Sequence, residues 1–377
     1  MSDTSLVVAS LPQFIRVFEL SPTQVSTLIA AYTIAAGVSG FFASFFLDRF
    51  ERKRVLIFLL SFYFMGLFAS ASAPSYVALL CARALTGVFG GVLAAVIFSI
   101  IGDSIVPERR GAATGKVLAA FPVSSVVTVP GGLILANMYS WRIPFYIFSV
   151  MVLVMLFTAF KTVPLLQAHL EQSQPPMKAK IKRILGHKNH VSCYLMMMMQ
   201  MFAGFSVISF FTPYLVGNVK FAESDIPTMY LVGGLFTMFT TPLIGRWVDK
   251  SGIHKVYRIV AACSLVPIFL YTNLEPSSFV WVLAITTAFM VFVSGRMVPF
   301  MAGATSAAAT ENRGSHLSFM GAVQQVSVAL AASLSGWILS KDPSGALVGF
   351  HIVGYVALSA SVVCMIFIGH IRRHVEA

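Results

Sequence analysis

Apolar stretches of about 20 residues alternate with short charged or turn-forming segments along almost the whole chain. Wound as a helix, such a stretch crosses the ~30 Å hydrocarbon core of a bilayer. The pattern predicts spans near 3–16, 23–47, 55–73, 76–102, 112–136, 143–163, 191–215, 227–245, 256–272, 279–304, 315–339 and 349–369. No water reaches a backbone inside lipid, so each segment must satisfy its own amides, as a helix does. A large soluble helical protein would need roughly twice the polar surface.

The polar breaks repeat. Residues 44–54 contain Asp48, Arg49, Arg52 and Lys53. Residues 245–255 contain Gly245, Asp249, Lys250, Gly252 and Lys255, and the two aspartates are 201 positions apart. A second marker follows in each half: Pro-Glu-Arg-Arg-Gly at 107–111 and Thr-Glu-Asn-Arg-Gly at 310–314. Glu108 and Glu311 are 203 apart, as are Gly111 and Gly314. Two markers at nearly one spacing predict a duplicated membrane domain. The halves are 1–163 and 191–377, joined by a polar linker over 164–190. The linker opens with Gln172–Pro176 and continues with Lys178, Lys180, Lys182 and Arg183. It reads either as a basic amphipathic helix on anionic lipid or as a solvated connection. Against the second half, the first is short by about eleven residues before Asp48, so the first span is expected to begin partway through its length.

Composition agrees with this pattern. The chain is 57% hydrophobic and 11% charged, against roughly 25% charged in soluble domains. Twenty of its 26 Lys and Arg residues fall in alternate loops and the C-terminal tail. Arg16, Arg142, Lys220 and Lys341 fall in the opposite loops, and Arg83 and Arg296 lie within spans. Basic loops face the cytoplasm, so the bias predicts a multi-pass plasma-membrane protein (the inner membrane in a bacterium) with both termini cytoplasmic or the N-terminus at the membrane. The net charge of +12 is then a topology signal. It excludes nucleic acid as a partner, because no compact basic domain carries it. Cys81, Cys193, Cys263 and Cys364 all fall in apolar spans without metal-ligand spacing. No phosphate-cradling loop, nucleophile elbow or HExxH motif occurs, so an enzyme is not expected and no cofactor or metal is implied.

The charged turn after the second and eighth spans resembles the Asp-Arg/Lys-x-Gly-Arg-Lys signature of the major facilitator superfamily. Gly245, Asp249, Lys250 and Gly252 match it; in the first copy Ser44 and Glu51 replace the two glycines, which predicts a reshaped turn. Arg83 and Gly87 resemble the family's fourth-helix Arg-x-x-x-Gly pattern. Asp3, Ser5, Leu11 and Pro12 resemble the first-helix pattern of proton-driven exporters. The exporters' fifth-helix Gly-Pro is replaced by Val127 and Thr128. Pro130-Gly131-Gly132 with Trp141-Arg142, and Arg296-Met297-Val298-Pro299, are similar to bacterial permeases described as sugar or drug exporters.

The resemblance implies an all-α integral membrane fold of twelve helices in two six-helix pseudo-repeats, the first helix short, with a substrate site between the halves. It implies proton-coupled export of a small organic solute by a monomer in the lipid bilayer. Import or facilitated diffusion is the alternative, and a transporter-derived receptor the alternative class. Asp48, Arg49, Arg52, Asp103, Gly245, Asp249, Lys250 and Gly252 are the expected cytoplasmic gate. Within it Asp48 faces the start of the eleventh span near Gly314, and Arg52 pairs with Asp103; the plain alternative is topology anchoring. Arg83 and Arg296 are costly in a bilayer, so they face the bundle interior, snorkel, or hydrogen-bond helix carbonyls. Tyr32, Gln200 and Gln324 are candidates for a central cavity or for interhelical packing. Asp48 and Asp103 fit the gate, which leaves Asp3 as the candidate proton carrier, with an exposed end-cap as its alternative. Pro122, Pro130, Pro213 and Pro299 are expected to kink their spans.

Overall fold

The computed structural model describes residues 7, 11–104, 117, 124–166, 186–307, 313–343 and 345–371. The helices of the first half are α1 (Leu11–Phe18), α2 (Pro22–Phe46), α3 (Arg52–Ala71), α4 (Tyr76–Ser104), α5 (Val129–Met138) and α6 (Arg142–Thr162). Those of the second half are α7 (Lys188–Ile208), α8 (Phe211–Gly217), α9 (Ile226–Ser251), α10 (Ile253–Thr272), α11 (Phe279–Gly295), α12 (Met297–Ser306), α13 (Arg313–Ile338) and α14 (Phe350–Phe367). Among the described residues, ten helical segments are long and apolar enough to cross a membrane. The first span is represented by α1, and the fifth by the shorter segment Val126–Met138. Together they make the twelve-helix fold in two six-helix halves.

Two expected continuous spans are broken. The seventh is α7 and α8 with a break at Ser209–Phe210; the tenth is α11 and α12 with a break at Arg296. A proline ring collides with the carbonyl four residues back. Pro213 and Pro299 stand four residues after Ser209 and Gly295, and Pro130 stands four after Val126 in the π-turn Ser124–Thr128. Pro122 lies outside the described residues. Pro242 and Pro267 sit inside unbroken helices, so proline does not break every span. A two-residue hairpin that the pattern did not predict, β1 (Ser340–Lys341) with β2 (Leu347–Val348), joins α13 to α14.

The repeated turn takes two different forms. In the second copy the eighth helix runs on past its expected end at 245, so Arg246, Asp249 and Lys250 are helical. Once the helix leaves hydrocarbon, polar residues extend it at little cost. The turn shrinks to Gly252, at φ +83° and ψ 156°, a region essentially closed to side-chain-bearing residues. In the first copy Leu47–Arg49 form a 3₁₀ turn, and Glu51, three residues after Asp48 as Gly252 is after Asp249, adopts extended backbone at φ −64° and ψ 128°. Its carboxylate caps α3, accepting from Lys53 N and Arg54 N at 2.8 and 2.9 Å. One copy makes the corner with a missing side chain; the other makes it with a capping one.

Close helix packing positions the polar groups. α4 crosses α2 where Gly87 and Gly91 face it, and a Cβ on either would collide with the carbonyl oxygen of Tyr32 or Ala36. This four-residue glycine spacing is the small-residue device of membrane helix pairs. α3 packs on α4 and α6; in the second half α7 packs on α13 and α14, and α10 on α11 and α14. The halves meet along two seams, α2 with α13 and α5 with α9. Under the repeat these seams are copies of each other. Phe157, Phe160, Phe239, Val280 and Ile366 are exposed on the exterior, as a lipid-facing surface requires.

Gly252→Ala is expected to destabilise the protein by about 1–3 kcal/mol, read as a lower thermal midpoint of the purified protein in detergent. Gly321→Ala, inside α13 with nothing within 4 Å of the added Cβ, is expected to raise it, because alanine is the better helix former by roughly 0.5–1 kcal/mol. Equal effects of one sign would contradict this account of the turn.

Candidate functional site

At the basic-rich end, Arg52 opens α3 and Asp103 stands near the end of α4. Arg52 Nε donates to Asp103 Oδ2 at 2.9 Å, and its NH1 donates to the Leu47 carbonyl at 3.3 Å. The arginine side chain is 6% exposed and the aspartate 29%. Both belong to the first half, so the pair shapes the turn around Asp48 and does not itself bridge the halves. Glu51 Oε1 also accepts from Leu166 N at 2.9 Å, tying the end of the sixth span to the start of the third. Burial raises the Glu51 carboxyl's pKa, but the amides of Leu166, Lys53 and Arg54 and the Arg54 charge outweigh it and hold the group below its ordinary 4.5.

The other expected gate residues are placed as follows. Arg49 is exposed; the Asp48 side chain and the 105–116 segment lie outside the described residues. Asp249 and Lys250 are exposed at the end of α9, and Gly245 is half-buried with Val298 of α12 beside it. Asp3, the expected proton carrier, is outside the described residues too.

Arg83 does not snorkel. It is 1% exposed and lies over the Tyr32 ring at 4.6 Å, inside the first half between α4 and α2. The electron-rich ring face supports the cation where water does not. Arg296 is fully buried at the break of the tenth span. Its NH1 donates to Ser361 Oγ at 2.9 Å and its NH2 to the Gln200 carbonyl at 3.4 Å, while Nε makes no hydrogen bond. Tyr257 donates to Gln200 Oε1 at 2.9 Å, and Gln200 Nε2 donates to the Met297 sulfur. The network ties α7, α10 and α14 to the break between α11 and α12. Arg296 and Gln200 thus face the interior of the second half in this conformation, and their contacts are those of the packing alternative. Gln324 is half-buried on α13, the helix that packs on α2.

The opposite end carries contacts that sequence reasoning missed. Arg16 at the end of α1 forms a two-point ion pair with Glu223 before α9; NH2 and Oε2 are 2.7 Å apart. Asn137 of α5 donates to the Glu223 carbonyl at 3.2 Å and accepts from Gln13. Lys341 donates to the Leu20 carbonyl at 2.6 Å, and Thr23 to that of Gly336 at 3.3 Å. Arg16–Glu223, Asn137–Glu223, Lys341–Leu20 and Thr23–Gly336 all join the two halves at the basic-poor end. A signal did exist: Arg16 and Lys341 are two of only four cations placed against the charge bias. A cation kept on the unfavoured side invites a search for its partner.

A groove lined by Ile57, Leu153, Val154, Leu156, Phe157 and Phe160 lies between α3 and α6. It has no polar group to orient a solute and sits on the lipid-facing exterior. The sequence profile of the Major Facilitator Superfamily matches residues 1–262 and 193–376. The chain belongs to that superfamily. An uncharacterized MFS-type transporter, YceJ, of Bacillus subtilis (strain 168) is 22% identical over 356 residues, covering 94% of this chain and 90% of that one. A probable sugar efflux transporter of Helicobacter pylori (strain P12) is 21% identical over 286 residues, covering 74% of this chain and 72% of its own. Among solved structures, a D-xylose–proton symporter superposes with a TM-score of 0.78 at 17% identity, covering 96% of this chain and 93% of that one. Members of this superfamily are transporters and not enzymes.

Asp103→Ala should destabilise more than Arg52→Met, because it takes a carboxylate away from a buried cation while the converse leaves a carboxylate that water reaches. A double-mutant cycle on thermal stability should show coupling of about 1–3 kcal/mol; additivity within about 0.5 kcal/mol would contradict the pair.

Proposed function

We propose that this chain is a secondary active transporter that works by alternating access and exports a small sugar-like or drug-like solute in exchange for protons. The observation that carries the reading is a set of four polar contacts that join the halves at the basic-poor end. They close that end, and the charges of the repeated turns stand at the other. With basic loops cytoplasmic, the conformation is closed to the outside of a plasma membrane, with both termini in the cytoplasm and a single chain as the working unit. An alternating transporter needs two states of similar energy, so its clasps must be weak. An exposed ion pair contributes about 0–1 kcal/mol, and Arg16 is 61% exposed in its pair with Glu223.

On this reading Asp48 at the end of the second span faces the start of α13, where a helix N-terminus favours a carboxylate. Arg52 and Asp103 hold that turn in place, and Asp249 with Lys250 repeats the arrangement in the other half. Solute lies between the halves near Gln324, and Arg83 with Tyr32 sets the polarity of the first half behind it. The relatives' printed names, sugar efflux among them, support the solute class and the outward direction.

Flux across inside-out and right-side-out vesicles, with an imposed pH gradient and a panel of pentoses, hexoses and amphiphilic drugs, tests the reading. Solute is expected to move against the proton flow for one class of compound, with Asp48→Asn lowering the rate at unchanged membrane abundance. Movement with the protons would make the protein an importer. No solute-dependent flux for any class would contradict a transporter.

A further inference from the structure

Two histidines that neither the gate nor the solute path uses are buried against each other in the second half. His190 is in the first turn of α7 and His316 in the first turn of α13. They are 5% and 1% exposed, and their ring centroids are 4.5 Å apart. His187 stacks on His190 from outside at 4.9 Å. Tyr194 Oη and His316 Nδ1 share a hydrogen bond of 2.9 Å, whereas His316 Nε2 is buried and makes no hydrogen bond. In a neutral imidazole one nitrogen carries a proton and the other a lone pair. Whichever tautomer the tyrosine selects, Nε2 is a buried group without a hydrogen bond, an arrangement that natural interiors seldom keep without a use.

The setting disfavours a positive charge here. Both rings sit at helix N-termini, where the partial charge is already positive. A second imidazole lies in contact, and water is excluded. Among the described residues, His190 and Tyr194 of α7 face His316, with His187 beyond His190 and Lys188 next to it in the chain, and Ala304 of α12 offers its carbonyl. Cys193 adjoins Tyr194 on α7, and Arg313 begins α13. From the first half α2 brings Phe41, followed at that end by Asp48 and Arg49. His316 precedes the apolar stretch Phe319–Ile338. Burial, with His190 adding to it, outweighs the Ala304 carbonyl and holds its basicity below the ordinary imidazole value.

The cluster also touches the seam between the halves. Tyr194 packs on Phe319 at 4.6 Å, and Phe319 packs on Phe41 of α2 at 5.7 Å. A change at the histidines therefore reaches the α2–α13 contact through two aromatic rings.

We propose that His316, with Tyr194 and His190, is a proton-binding site whose occupancy favours a second conformation, one in which the α7–α13 seam is hydrated at the basic-rich end. The linkage has a definite sign. The proton binds less well in the conformation described here, so lowering the pH draws the protein away from it. On the alternating-access reading, on which this rests, the site gives protons a hold on the movement of the halves independent of Asp3.

The test is a distance measurement on the full chain in lipid nanodiscs. Spin labels go on Lys161→Cys and Lys255→Cys, at the basic-rich ends of α6 and α10, in a background without the exposed thiols Cys81 and Cys263. Wild type should shift its distance distribution as pH falls between about 7 and 4. His316→Gln should remove the shift while the protein stays monodisperse. If that variant does not fold, Tyr194→Phe decides, since it keeps the ring packing: the midpoint should move by roughly half a pH unit or more. A wild type whose distances ignore pH, a His316→Gln protein that still responds, or an unmoved midpoint in Tyr194→Phe would each overturn the proposal. Solute flux in the same preparations separates this from the transport reading. Flux that persists while distances ignore pH removes only the proton site; absent flux for every solute removes the transporter.

Discussion

A charge or a bare hydrogen-bonding group inside a bilayer-spanning bundle costs at least about 2.5 kcal/mol unless the protein answers it. That constraint organises the interior of this molecule. Arg83 is answered by the face of Tyr32, and Arg296 by a hydroxyl and a carbonyl at a helix break. The break stands just before Pro299, and the buried guanidinium at it is held by groups from α7 and α14. With 11% charged residues in the chain, each buried polar cluster marks a place where several helices must be held together.

On the alternating-access reading proposed above, the same constraint bears on how the halves move. Helices approach through glycines and interlocking side chains within each half, and along the α2–α13 seam too, where Gly37 and Gly336 admit the facing helix. Among the described residues, polar contacts between the halves hold the basic-poor end, and an exposed ion pair such as Arg16–Glu223 contributes only about 0–1 kcal/mol. A difference of about 1.4 kcal/mol moves a two-state population tenfold, so solute, protons or membrane potential can tip contacts of this size. The repeat places the α2–α13 and α5–α9 seams as copies about one axis, a geometry that allows one half to rock against the other with both seams kept.

Much of this was readable in the chain because the bilayer simplifies the code. Twelve spans follow from apolar length, and the duplication follows from two charged markers at one spacing. Arg52 and Asp103 were matched through the family resemblance of the charged turn. Other features were hidden for definite reasons. Helices that are apolar all round carry no amphipathic face, so nothing in the pattern said that Gln200 and Arg296 turn into the second half. Arg16 and Glu223 are 207 positions apart and meet only through the fold. Glu51 reads as a lost glycine, yet its carboxylate makes the corner that glycine makes in the other copy. His190 and His316 look like loop-end histidines until α7 and α13 pack.

The central claim is that the basic-poor end must open for solute to pass. A reversible crosslink there tests it most directly. With Arg16→Cys and Glu223→Cys in a background lacking Cys81 and Cys263, oxidation should stop solute flux in vesicles, and reduction should restore it. Flux that continues at full rate through completely crosslinked protein would contradict the account.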